Sequence, residues 1–66
     1  MSKETFYVSP VQKGWQVERV SNSRKTLFQT KEAAETYAEG AARFSAPSEV
    51  VVRRPDGGVG YSWKYD

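Results

Sequence analysis

The segment RPDGGVGYSWKYD (residues 54–66) combines residue types suited to two different chemistries. GGVG offers backbone N–H groups to an anion, while Tyr61, Trp63 and Tyr65 offer aromatic surface. A phosphate-cradling loop needs glycines that lead from a strand into a helix N-terminus, where free N–H groups and the helix dipole meet the anion. Here β-type residues follow instead, so the glycines belong to a turn. Pro55 fits the first corner, Asp56 the second and a glycine the left-handed position, giving a hairpin with a bulge. Acid–base and nucleophilic chemistry are equally poorly provided for. His is absent, which removes the commonest general base and transition-metal ligand; Cys is absent, which removes thiolate metal sites, a Cys nucleophile and any disulfide. Asp56 is a turn residue, Asp66 is the last residue, and three of the six glutamates, Glu32, Glu35 and Glu39, sit along one helical stretch with no matching set elsewhere. No spacing joins Lys, Tyr and Ser into a proton-transfer group. The chain reads as a non-enzyme that needs no metal and no cofactor.

Binding chemistry remains. Ten Lys and Arg stand against eight Asp and Glu, a net charge of +2. The helical stretch holds Lys31 and Arg43 against Glu32, Glu35 and Glu39, so the basic excess falls on strands and turns. Lys13, Arg19, Arg24, Lys25, Arg53, Arg54 and Lys64 are therefore the candidate nucleic-acid contacts, with the sheet as the phosphate-facing side. The plainer alternative is that scattered Lys and Arg keep exposed strands soluble and their edges unpaired. Tyr61 and Trp63 are the candidate protein-binding pair. Aromatics interleaved with basic residues can also stack on single-stranded bases. Against both uses, a chain with few large aliphatic side chains has need of Trp63 beneath its helix.

These residues must be positioned by very little structure. Sixty-six residues make a single domain, 1–66, with room for one sheet layer and one helix. TFYVS alternates Phe6 and Val8 with Tyr7 as a half-buried strand does, PVQKG is a turn, and WQVERV alternates again from Trp15 and Val17. After SNS, RKTLFQ (24–29) gives a short third strand. Thr30 stands as the N-cap of a helix over 31–44, with Ala34, Tyr37, Ala38, Ala41 and Phe44 recurring on one face. Gly40 weakens that helix by roughly 1 kcal/mol relative to Ala. EVVVRR is a fourth strand with three adjacent valines, and VGYSWKY a fifth with Val59, Tyr61, Trp63 and Tyr65 sharing a face. The order β-β-β-α-β-β predicts an α+β domain, an antiparallel sheet of four to five strands packed on one helix. Its expected core is Phe6, Val8, Trp15, Val17, Ala34, Ala38, Ala41, Val50, Val52 and Val59. No apolar run is long enough to span a membrane and MSKETFYV lacks the pattern of a signal peptide, so the chain reads as soluble and cytosolic.

The opening TFYV, then GWQV, FQTKEAAETYA with ARF, EVVVRRPDGG and a terminal tyrosine resemble the small bacterial and phage family catalogued as domain of unknown function 2188, over nearly the whole chain. The resemblance carries no activity and no catalytic residues with it. Tyr61 and Trp63 depart from it, standing where the family pattern implies charged side chains. A second, partial resemblance covers GWQVERVSNSRKTLFQTKEAAETYAEGAAR, which is similar to the arm-type DNA-binding domain of tyrosine integrases. That resemblance implies a three-stranded sheet, followed by a helix, that approaches the major groove through its sheet.

The first functional expectation is thus a DNA-binding or DNA-associated module using the basic sheet. The alternatives are a phage or prophage module that docks on a host or defence protein such as a CRISPR complex, and a self-associating domain that forms a homodimer through its sheet edge or aromatic face.

Overall fold

Phe6 and Val8, two positions apart, project to the same side of an extended chain, and the sheet is organised around that side. The computed structural model describes residues 3–66. Its elements are β1 (Glu4–Val11), β2 (Gly14–Arg19), β3 (Arg24–Phe28), α1 (Lys31–Phe44), β4 (Ser48–Arg53) and β5 (Val59–Tyr65), the predicted order. The strands form one sheet in the order β3-β2-β1-β4-β5.

The fold is α+β and the sheet mostly antiparallel, with one refinement. Three neighbouring pairs are antiparallel, but β1 and β4 run parallel, Glu4 to Val8 lying beside Ser48 to Val52. Two hairpins bring β3 back to the direction of β1. The helix then carries the chain over the sheet, so β4 descends along the free side of β1 in the same sense. A helical crossover is the connection that parallel neighbours require.

Cross-strand partners share a face, so the register sorts every side chain. Phe6, Val8, Val17, Val50 and Val52 face the helix and are buried, and they meet Ala34, Ala38 and Ala42. Those alanines form an i, i+4, i+8 row, and small side chains there bring the helix axis close to the sheet. Ala42 therefore takes the central place expected of Ala41, which sits on the shoulder of the helix. Trp15, Phe28, Trp63 and Tyr65 flank this core, partly buried. Phe44 projects from the last turn and is 96% exposed.

The ends of the helix are chemically closed. Thr30 Oγ1 accepts the N–H of Ala33 at 3.1 Å, and Ser48, fully buried, donates its hydroxyl to the carbonyl oxygen of Ala42 at 2.6 Å. The PDGG turn is built as its residues predict. The Gly57 N–H donates to the Arg54 carbonyl at 2.9 Å, Gly57 has φ +90°, and the Gly58 N–H donates to Asp56 Oδ1 at 2.8 Å.

The bulge that follows corrects one expectation. Val52 pairs with Tyr61, but Arg53 pairs with Val59, so Gly60 is an extra residue and the alternation slips by one. Val59 consequently leaves the helix side and is 58% exposed, whereas the unbroken alternation VGYSWKY had placed it in the core.

Candidate binding surfaces

Tyr61, Trp63 and Tyr65 do share one face, opposite Val52, Val50 and Ser48, on the helix side of the sheet. The helix lies over β1, β2 and β4 and barely reaches β5. The aromatic row is therefore neither deep core nor isolated surface. Tyr61 is 45% exposed, and Trp63 and Tyr65 are half-buried against the flank of the helix. Trp63 thus lies beside the helix rather than beneath it.

The row is held together from within and from the helix. Tyr61 and Trp63 stack with centroids 5.9 Å apart and rings 16° from parallel, and Trp63 Nε1 donates to the Tyr65 hydroxyl at 2.9 Å. Lys31 Nζ lies 5.1 Å from the Tyr61 centroid and 5.5 Å from that of Trp15, while the Arg43 guanidinium lies 5.8 Å from Tyr65. Glu35 accepts the Tyr61 hydroxyl. That hydrogen bond to a carboxylate, more than burial, raises the Tyr61 pKa above the ordinary phenol value. Sequence reasoning missed these helix partners. Their signal was present: Lys31, Glu35, Glu39 and Arg43 recur every four residues, which puts them on one helix face.

The seven basic candidates do not converge. Lys25, Arg53 and Lys64 lie on the sheet face away from the helix, with Lys25 opposite Glu18 and Lys64 opposite Glu49. On the same face the Arg53 guanidinium is 4.3 Å from the Tyr7 ring centroid, and Lys3 pairs with Glu49 at 3.0 Å. The Lys3 hydrogen bond is the largest of the influences that hold the Glu49 carboxyl below its ordinary pKa, with Lys64 adding to it. Lys13 belongs to the β1–β2 turn, and Arg54 belongs to the β4–β5 turn beside Asp56, 3.4 Å away. Arg19 and Arg24 are cross-strand partners on the opposite, helix side. Arg19 is tied internally: its guanidinium donates to Ser45 Oγ at 3.2 Å, lies 3.5 Å from Glu4 Oε1 and sits 5.5 Å from the Phe6 centroid.

Among the described residues no cluster of three or more His, Cys, Asp or Glu forms, and no helix is long and apolar enough to cross a membrane. No curated protein and no solved structure matches the chain, so the integrase likeness gains no support from them. The family described as "Uncharacterized protein conserved in bacteria (DUF2188)" matches residues 6–65, and the chain belongs to that family.

Proposed function

We propose that the chain is a non-enzymatic binding module whose working surface is the β5 edge, where an extended segment of a partner protein adds as a further strand. The observation that supports this is the stacked Tyr61–Trp63 pair on an edge strand with a free side. An edge offers a row of backbone donors and acceptors to an added strand, and alternate side chains supply the selectivity. Aromatic anchors carry much of the affinity at such contacts. Here Glu35, Lys31 and Tyr65 already hold the rings, so little further ordering is needed on binding.

Selection from a displayed library of extended peptides tests the reading. Selected peptides are expected to protect β5 amides from hydrogen exchange and to bind at least about tenfold more weakly to Tyr61→Ala or Trp63→Ala, a loss of about 1.4 kcal/mol. Charge reversal at Lys25 and Arg53 is expected to leave them unaffected. Peptides that ignore both aromatic substitutions would overturn the reading. So would a wild-type dimer that Trp63→Ala dissolves, since a second copy would then occupy the edge.

A nucleic-acid reading rests on a separate observation, the open face with Lys3, Lys25, Arg53 and Lys64 against Glu18 and Glu49, and Arg53 packed on Tyr7. Five strands span about 19 Å at ~4.8 Å per step, against a major groove about 12 Å wide. That breadth favours a single strand crossing the face over a duplex groove that admits a two-stranded ribbon. Lys25→Glu with Arg53→Glu would then weaken binding to every sequence and flatten its salt dependence. No salt-sensitive binding by the wild type up to about 100 μM would dismiss it.

A further inference from the structure

Arg19 and Arg24 stand directly opposite each other on β2 and β3, both on the helix side. Like charges in that relation destabilise a sheet, and only one of the two is compensated. Glu4 lies 3.5 Å from Arg19, whereas Arg24 has no acidic side chain within salt-bridge distance among the described residues. Local conflicts of this kind are where binding sites are found, because a ligand can resolve what the chain alone does not.

The two arginines line a pocket of about 70 Å³. Asn22, Thr26 and Tyr37 complete its polar wall, above a floor of Phe6 and Val17. No carboxylate lines it. Asn22 Oδ1 accepts the Arg24 N–H at 2.9 Å, which leaves the Asn22 amide nitrogen as a donor. Arg19 Nε is buried and makes no hydrogen bond in the described structure; it faces Glu4 Oε1 at 3.5 Å. The polar wall therefore carries the Arg24 guanidinium, the Arg19 guanidinium that Ser45 and Glu4 already engage in part, an amide and two hydroxyls, drawn from β2, the β2–β3 turn, β3 and α1.

We propose that this pocket binds a small oxyanion, and that phosphate is its best match. Donors carried by four different elements around one pocket suit an acceptor whose oxygens diverge in three dimensions. A phosphate has oxygens at tetrahedral corners, whereas a carboxylate has two in one plane. The volume admits roughly two water-sized groups, which suits an anionic head and leaves any larger body outside. This site lies at the β3 edge, away from the β5 aromatic row, and does not depend on the function proposed for that row.

The test is a nitrogen–proton correlation titration with inorganic phosphate, with chloride and acetate at matched ionic strength as controls, on the wild type and on Arg24→Gln and Thr26→Val. Saturable shifts confined to residues 19–26 and 37, seen with phosphate and absent with chloride, are the expected result, with acetate at least about fivefold weaker. Arg24→Gln should weaken phosphate binding at least about tenfold. It should also melt higher than the wild type without phosphate, because the opposed charge is gone, and lose the phosphate-induced rise in melting temperature. Thr26→Val should weaken binding with the fold intact. A parallel titration with O-phosphoserine assigns the source: tighter binding than inorganic phosphate identifies an esterified group, and equal or weaker binding the free ion. Equal responses to phosphate and chloride, or an unchanged phosphate response in Arg24→Gln, would overturn the proposal.

Discussion

The two edges of the sheet are built on different plans. β3 has five residues and begins with the exposed, charged pair Arg24 and Lys25; β5 has seven, with three aromatics on one face and a single charged residue, Lys64. A short charged edge resists pairing with another chain, because the added strand would have to desolvate those charges. The β5 edge lacks that defence along most of its length, although the bulge at its start twists it. The helix reinforces the contrast. Toward β3 it sends Tyr37, whose ring centroid is 5.2 Å from that of Phe28, and toward β5 it sends the charged series Lys31, Glu35 and Arg43. In the two proposals above, the β3 edge holds a small charged group and the β5 edge holds a chain.

The sharpest way to break the comparison is at Gly14. Its φ is +146°, and an added Cβ would run into the carbonyl oxygen of Phe28, where β2 leaves the turn beside the end of β3. Backbone strain and overlap each cost about 1–3 kcal/mol, so Gly14→Ala is expected to destabilise by about 3 kcal/mol or more. Hydrogen exchange should show β3 amides losing protection before those of β5; uniform loss would mean that the edges are not independent.

A smaller effect isolates the β5 side. The Tyr61 phenol is raised above the unfolded value of about 10 by donating to Glu35. Its contribution to stability is fully present below that pH and is lost as pH rises through the higher folded value. Ultraviolet titration should find a late-ionising tyrosine, and Glu35→Gln should move it back. A late tyrosine that persists in Glu35→Gln would contradict the assignment.

The smallest effect lies on the helix that both edges share. Gly40 is exposed, and a Cβ there would meet nothing within 4 Å. Gly40→Ala is expected to stabilise by up to about 1 kcal/mol and to leave peptide and phosphate binding unchanged. A thermal melt with both titrations checks this, and a loss of stability would show that the glycine has a structural role.

Much of this architecture was legible in the residues because local rules govern it. Thr30 as N-cap, Ala34 and Ala38 on the buried helix face, the Pro55–Asp56–Gly57 turn and all six elements follow from short-range preference. The parallel seating of β4 beside β1 was not legible, since it depends on where the crossover lands and not on either strand's composition. Val59 was misplaced for a related reason: one inserted residue reverses every inference from alternation on its far side. The basic residues illustrate the wider limit. Their types and spacing showed that they lie outside the core, but only the register shows that Arg19 and Arg24 face one side while Lys25, Arg53 and Lys64 face the other. Likewise, the aromatic row was visible in VGYSWKY, but its coupling to Lys31, Glu35 and Arg43 needed the third dimension.

The parallel contact between β1 and β4 also decides how the molecule can be divided. β1 is the middle strand, and its two neighbours come from opposite halves of the sequence, β2 immediately after it and β4 only after the helix. A cut between α1 and β4 leaves Phe6 and Val8 without the wall formed by Val50 and Val52, and a cut before β2 strands β4 without the centre of its sheet. Neither fragment contains a closed set of apolar contacts, so the whole β-β-β-α-β-β sequence is the smallest unit in which the central strand has both neighbours.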